Sequence, residues 1–233
     1  IDRGLVGSEM CIRDSPDNKV LVLEAGSKDK YLRTKIPVGY LFSMGNPKTD
    51  WCYTTEKEEG LNGRSLNYPR GRVLGGSSAI NGMIYMRGQA KNYDHWKNEG
   101  NIGWGWDDVL PYFKKSEDHF KGADDFHGEG GAWRVEKQRL SWDVLDSFAE
   151  ACEQSGIPPT EDFNRGTNFG VGYFEVNQRK GVRVSANSAF LRPIRHRKNL
   201  TIIANANVEK ITFDGKKATG VIFRENKKSG HSQ

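Results

Sequence analysis

Residues 70–82 read Arg70-Gly71-Arg72-Val73-Leu74-Gly75-Gly76-Ser77-Ser78-Ala79-Ile80-Asn81-Gly82. Two adjacent glycines followed by two serines offer bare backbone amides and small hydroxyls, and glycine lets a bulky ligand approach the main chain. If a helix opens near Ser77, its first unpaired amides point at one place and suit a phosphate or another anion. An ordinary tight turn uses the same residues, so a second feature is needed. It lies upstream in Lys19-Val20-Leu21-Val22-Leu23-Glu24-Ala25-Gly26. Apolar on both faces, this run reads as a strand buried inside a parallel sheet. An acid just past such a strand is placed to accept hydrogen bonds from the ribose hydroxyls of a dinucleotide.

Around these two stretches the elements alternate. Asn199 to Asn205 reads as another strand, and Val208–Phe213 and Ala218–Phe223 as a pair joined through the turn signal Asp214-Gly215. Helices are expected over Asp107–Asp118 and Ser141–Ser155. The second has Ser141 as cap, Gly156 as stop, and Trp142, Leu145, Phe148, Ala149 and Cys152 on one core-facing stripe. Gly39–Asp50, Asn98–Gly105 and Gly156–Gly172 read as loops.

Composition narrows the class. Among 233 residues, 36% are hydrophobic and 11% aromatic, with six Trp, which excludes a disordered chain. The 27 glycines follow no Gly-X-Y period, which excludes collagen. No apolar run approaches the ~20 residues of a membrane span. The net charge of +5 is mild, and the basic run Arg192–Lys198 lacks interleaved aromatics, so a nucleic-acid partner is not expected. Cys11, Cys52 and Cys152 show neither metal-ligand spacing nor a disulfide framework, so no metal is expected. The chain begins at Ile1, so it is expected to be a piece of something longer. Leu5 to Ser15 resembles one reading frame of a sequencing adapter, and residues 1–15 are set aside as an artefact without function.

The run from Gly71 to Asp94 resembles the first signature of the glucose–methanol–choline (GMC) flavoprotein oxidoreductases, with Asn81, Tyr85 and Gly88 in register. Trp51-Cys52-Tyr53-Thr54-Thr55, Asn67-Tyr68-Pro69-Arg70, Gly181-Val182-Arg183-Val184-Ser185-Ala186 and Phe190-Leu191-Arg192-Pro193 are similar to the same family. The likeness runs from about Lys19 to Phe223 and is nearest to choline dehydrogenase-like and alcohol dehydrogenase-like members from bacteria. It implies an α/β fold: a Rossmann-like FAD-binding domain over 16–117 and 192–233, interrupted by part of an α+β substrate-binding domain over 118–191.

The resemblance further implies an enzyme that oxidises the CH–OH group of a small alcohol by hydride transfer to flavin N5, and that passes electrons on to an acceptor. A membrane respiratory chain is one such acceptor, with the protein cytoplasmic or peripheral at the inner membrane. A lyase that keeps FAD and a non-catalytic FAD-binding module are the alternatives. Glu24 would hold the adenosine ribose. Gly75, Gly76 and Ser77 would lie along the pyrophosphate and ribityl chain. Val73 and Asn81, Gly82, Met83 and Ile84 would contact the flavin end, Val208 would meet the adenine through its backbone, and residues 40–55 would form part of a lid. The family's opening Gly-x-Gly-x-x-Gly turn is not found before Glu24. Its second signature and catalytic histidine are expected beyond Gln233, so this chain alone is not expected to turn over. His95, His119, His127, His196 and His231 match no catalytic position and are expected at the surface or in packing.

Some family members attach FAD through a histidine near the position of Ile80. An alkyl side chain has no nucleophilic atom, so the flavin is expected to be non-covalent. Acid denaturation of the complete flavoprotein should release all yellow colour into the supernatant; colour kept in the pellet would contradict this.

Overall fold

The computed structural model describes residues 18–225. In chain order they form β1 (Val20–Glu24), α1 (Tyr40–Ser43), β2 (Tyr53–Thr54), β3 (Asn67–Tyr68), α2 (Ala90–Asn98) and α3 (Trp106–Ser116). Then come β4 (Glu117–His119), β5 (Trp133–Lys137), α4 (Asp143–Gln154), β6 (Glu175–Val176), β7 (Gln178–Arg179) and β8 (Val182–Arg183). The last three strands are β9 (Leu200–Ala204), β10 (Ala206–Asp214) and β11 (Lys217–Glu225). The chain divides into two compact units, Ile1–Gly82 with Arg183–Gln233, and Met83–Val182. Residues 1–15, set aside on sequence, lie outside the described residues.

In the first unit β1 pairs in parallel with β9, from Val20 opposite Leu200 to Glu24 opposite Ala204. β10 and β11 form an antiparallel hairpin that closes at Asp214 opposite Lys217, with Gly215 at φ 56° in the turn. The β1 and β10 segments share this unit. Asp50 ties the segment between β1 and the glycine turn together. Its carboxylate accepts the amides of Gly45 at 2.7 Å, Arg70 at 2.8 Å and Cys52 at 3.1 Å. Burial pushes the Asp50 carboxyl up, but those amides outweigh it and hold the pKa low.

The second unit carries a three-stranded sheet in the order β4-β5-β6, the first pair parallel and the second antiparallel. Helices α2 and α3 belong here. Tyr93 of α2 packs on Trp106 and Phe113 of α3, and α3 runs directly into β4. The compact units divide at 82/83 and 182/183, whereas the expected domain limits lie at 117/118 and 191/192. Aromatic packing joins α2 to α3, which leads into β4, and the 183–191 segment hydrogen-bonds to Ser78 and Asn81 in the first unit.

Two expectations are corrected. Leu21 of β1 is 49% exposed, because only one edge of that strand is paired among the described residues. Trp142, just before α4, is 61% and Phe148 on it 63% exposed, so this end of the apolar stripe lies open among the described residues while Ala149 and Cys152 are half-buried. A 3.6-residue period shows that a helix has an apolar face, not what meets it. The cap is also shifted: Trp142 rather than Ser141 precedes the helix, while Gly156, at φ 87°, ends it as expected.

A buried charge network anchors the second unit. Glu117 is fully buried and pairs with Arg87 Nη2 at 3.0 Å and His127 Nδ1 at 3.0 Å. His127 Nε2 meets Asp162 at 2.8 Å, and His119, stacked on His127 at 3.9 Å, bonds Glu175 at 3.0 Å. The Gly156–Gly172 loop supplies Asp162 and also Asn164, which accepts the Arg87 amide at 2.8 Å and donates to the Tyr85 carbonyl. His119, His127 and Glu175 place potential metal-ligand atoms within 4.8 Å of one another. Both ring nitrogens of His127 already face carboxylates, so the ring is an imidazolium with no lone pair to offer.

Burial alone would lower the His127 pKa, but the bonds to Asp162 and Glu117 raise it to about 9. The unfolded value is ~6.5, so this stabilisation is full below that pH and is lost as pH rises through about 9. In Glu117 and Asp162 burial acts upward and is outweighed, chiefly by the His127 bonds, so both are held low. Their share is present above the ordinary carboxylate range of ~4 and is lost as pH falls below it. Denaturant midpoints should therefore drop between pH 6.5 and 9. His127→Gln should remove that slope and cost ~3–5 kcal/mol at neutral pH, since it strands buried charge. An unchanged slope in the variant would refute the assignment.

Candidate cofactor site

The site is built at the carboxyl ends of β1 and β9, where open α/β sheets place their ligands. Gly26 follows β1 and lies against residues 72–73. A Cβ at Gly26 would stand 1.8 Å from the Arg72 carbonyl oxygen, so only glycine permits this crossing. Hydrogen bonds fix it: the Leu74 amide donates to Ser27 O at 3.1 Å, and the Asn205 amide donates to Gly26 O at 2.7 Å. Three segments far apart in sequence thus converge beside Glu24.

Glu24 accepts the Gly26 amide at 2.7 Å. Burial raises its pKa, opposed by that amide and by Arg72, with a net upward shift. Gly75 and Gly76, both at positive φ, lead into one 3-10 turn over Gly76–Ala79. This corrects the expectation of a helix there, because the Ile80 backbone breaks away after four residues. The Gly76 amide already donates to Val73 O at 2.7 Å, so any anion-binding capacity rests on the other amides of the turn rather than on a helix dipole. A Cβ at Gly76 would meet nothing within 4 Å, so this backbone borders open space.

Val73 is fully buried and packs with Ala79 and Ile80. Its side chain is core, which leaves only its main chain for contact with a ligand. Ser77, Asn81 and Gly82 are exposed, and Val208 is exposed near the start of β10, which touches β1. The first unit therefore holds Glu24, Val73, Gly75, Gly76, Ser77, Asn81, Gly82 and Val208. Met83 and Ile84 begin the second unit. Met83 has φ 65°, unusual for a side chain of its size, and its carbonyl accepts the Asn177 amide at 2.9 Å.

The sequence reading missed what braces the turn. Ser77 Oγ accepts the Gly71 amide at 3.1 Å, so its hydroxyl already serves the fold. Ser78 Oγ donates to the Gly75 carbonyl and accepts the Ala186 amide at 2.8 Å. Arg183 Nη1 donates to Ser78 O at 3.2 Å and to Asn81 Oδ1 at 2.8 Å. A π-helical turn, Asn187–Leu191, continues this bracing segment. The Arg-x-Ser-Ala motif signalled family likeness but not that it grips the glycine turn.

These residues fit FAD. The carboxylate at the strand end matches a ribose diol, and the glycine main chain bordering open space admits a diphosphate.

The family model described as GMC oxidoreductase matches residues 5–233, starting inside the N-terminal stretch set aside on sequence. The mitochondrial choline dehydrogenase of Homo sapiens is 38% identical over 235 residues, which cover 96% of this chain and 40% of that protein. The oxygen-dependent choline dehydrogenase of Brucella anthropi is 39% identical over 223 residues, covering 95% and 40%. The crystal structure of pyridoxine 4-oxidase from Mesorbium loti superposes with a TM-score of 0.89 at 34% identity, covering 96% of this chain and 45% of that one. The chain spans about 40% of the length of the curated relatives it matches.

The two glycines separate fold from ligand. Gly26→Ala should destabilise the first unit outright, through collision with the Arg72 carbonyl. Gly76→Val should leave a folded protein, with strain of ~1–2 kcal/mol from its left-handed backbone, and should abolish flavin retention. Circular dichroism and flavin absorbance on both variants check this; normal flavin content in Gly76→Val would remove the turn from the site.

Proposed function

Because the chain belongs to the GMC oxidoreductase family, we propose that the protein binds FAD non-covalently and oxidises the CH–OH group of a small alcohol, in the manner of a choline dehydrogenase. The observation that carries this reading is the convergence of Glu24, the Gly75–Ser78 turn and the start of β10 at the carboxyl end of a parallel strand pair. FAD, when bound, supplies the acceptor for the hydride that leaves the alcohol carbon. Glu24 accepts hydrogen bonds from the adenosine ribose, and the Val208 backbone meets the adenine. Gly75 and Gly76 let the diphosphate approach the main chain without side chains in the way, although the Gly76 amide itself donates to Val73 O at 2.7 Å. Asn81, Gly82, Met83 and Ile84 run toward the flavin end, with Asn81 oriented by Arg183.

The hydroxyl proton needs a base. His127 is ruled out because both its nitrogens face carboxylates, which raise its pKa to about 9 and keep it protonated at neutral pH. His119 is buried against Glu175. The resemblance, not elimination, assigns the base to the part of the family's length that this chain does not span. The electron acceptor is an external oxidant, with molecular oxygen and a respiratory quinone as the two to be assayed.

The full-length protein should reduce an artificial electron acceptor when given choline or simple primary alcohols. A flavin-loaded protein with no turnover on any alcohol would defeat the proposal. A hydrogen bond to a charged group is worth ~1.5–3 kcal/mol. Glu24→Gln should accordingly weaken FAD binding by about tenfold or more, measured by flavin fluorescence on reconstituting the apoprotein.

A further inference from the structure

Arg183 handles its charge unlike the other buried cations described above. It is 4% exposed. One nitrogen, Nη1, serves both the Ser78 carbonyl and Asn81 Oδ1. Nε and Nη2 are buried without a hydrogen-bond partner. Arg87 and His127 each touch a carboxylate. Among the described residues, no carboxylate lies within 4.0 Å of the Arg183 guanidinium. The acid that acts on it from farther away is Asp29, which is engaged by Thr34 and Asn187 and faces Arg192 at 4.0 Å. Burial lowers the Arg183 pKa to about 10, opposed by Asp29, so it stays protonated at neutral pH. An uncompensated buried cation is costly to a fold, and a hydrophobic residue of similar volume would avoid that cost.

We propose that Arg183 is a positioning residue for bound FAD, which fixes the Ser78–Asn81 segment and sets a permanent positive charge behind it. This rests on the reading that residues 77–82 lie along the flavin. Oxidation of the alcohol breaks one C–H and one O–H bond. The hydride, carrying both electrons, goes to the isoalloxazine, the proton goes to a base, and the carbon becomes a carbonyl. The isoalloxazine gains one negative charge, and a fixed cation in a low-dielectric surround favours that gain. Arginine suits the task because its fork spans a carbonyl and an amide oxygen while remaining charged.

The test uses the full-length protein with R183K and R183M. The flavin midpoint potential is measured by equilibration with a reference dye, and FAD affinity by reconstitution of the apoprotein. Wild type should hold FAD with a midpoint above that of free FAD. R183M should shift preference toward oxidised flavin about tenfold, which is ~30 mV for a two-electron couple. R183K keeps the charge and loses the fork, so it should keep the potential within that margin and release FAD more readily. An unchanged potential in R183M overturns the proposal. If R183M fails to fold or hold flavin, the other two proteins decide: a wild-type midpoint at or below that of free FAD, or an R183K potential shifted as far as ~30 mV, overturns it equally. A wild type that takes up no FAD instead defeats the FAD reading on which the proposal stands.

Discussion

The first unit depends on one close approach, that of Gly26 to the Arg72 carbonyl. No side chain fits there, since a Cβ would stand 1.8 Å from that oxygen. The crossing holds the end of β1 against the strand-like stretch before the glycine turn and keeps Glu24 beside it. Asn205, with φ 60°, closes the other side through its bond to Gly26 O. The candidate site is thus made by backbone packing at a strand end, and side chains are added to a geometry already fixed.

The two units treat buried charge differently. In the second, Glu117, Asp162 and Glu175 surround two stacked imidazoles and Arg87, and each of these three side chains meets an acid. Such a network orders loops without needing a large apolar core, and it makes a long loop structural through Asp162 and Asn164. In the first, Asp50 is satisfied by backbone amides alone, and Arg183 by neutral oxygens alone. Charge satisfied by neutral groups keeps its long-range field, whereas charge in an ion pair largely cancels it.

Apolar surface is unevenly covered. Val73, Ala79 and Ile80 form a small buried cluster beneath the glycine turn. By contrast, the Trp142–Phe148 end of the α4 stripe and Leu21 on β1 stay open among the described residues. The rigid core under the turn is what lets two glycines keep left-handed backbones there: the flexible residues are pinned from below by side chains that have no freedom of their own.

The sequence by itself determined the element types and the chemistry of the site. Short apolar runs and turn residues located β1, β9 and the β10–β11 hairpin, because those signals are local. Glu24 after a strand, and paired glycines before paired serines, pointed to a dinucleotide because ligand chemistry restricts residue type. What only the tertiary structure decided was set by distant partners. A glycine pair leads into a single 3-10 turn, not a helix, because the Ile80 backbone breaks away, and Ser78 of that turn is held by Ala186, 108 positions away. The α4 stripe reads the same whether or not anything covers it. His119 and His127 look like ordinary surface residues until Glu117, Asp162 and Glu175 are brought to them. The charge of Arg183 acquires meaning only when the fold buries it without an acid, because a charge's worth depends on its surroundings, and those are assembled from the whole chain.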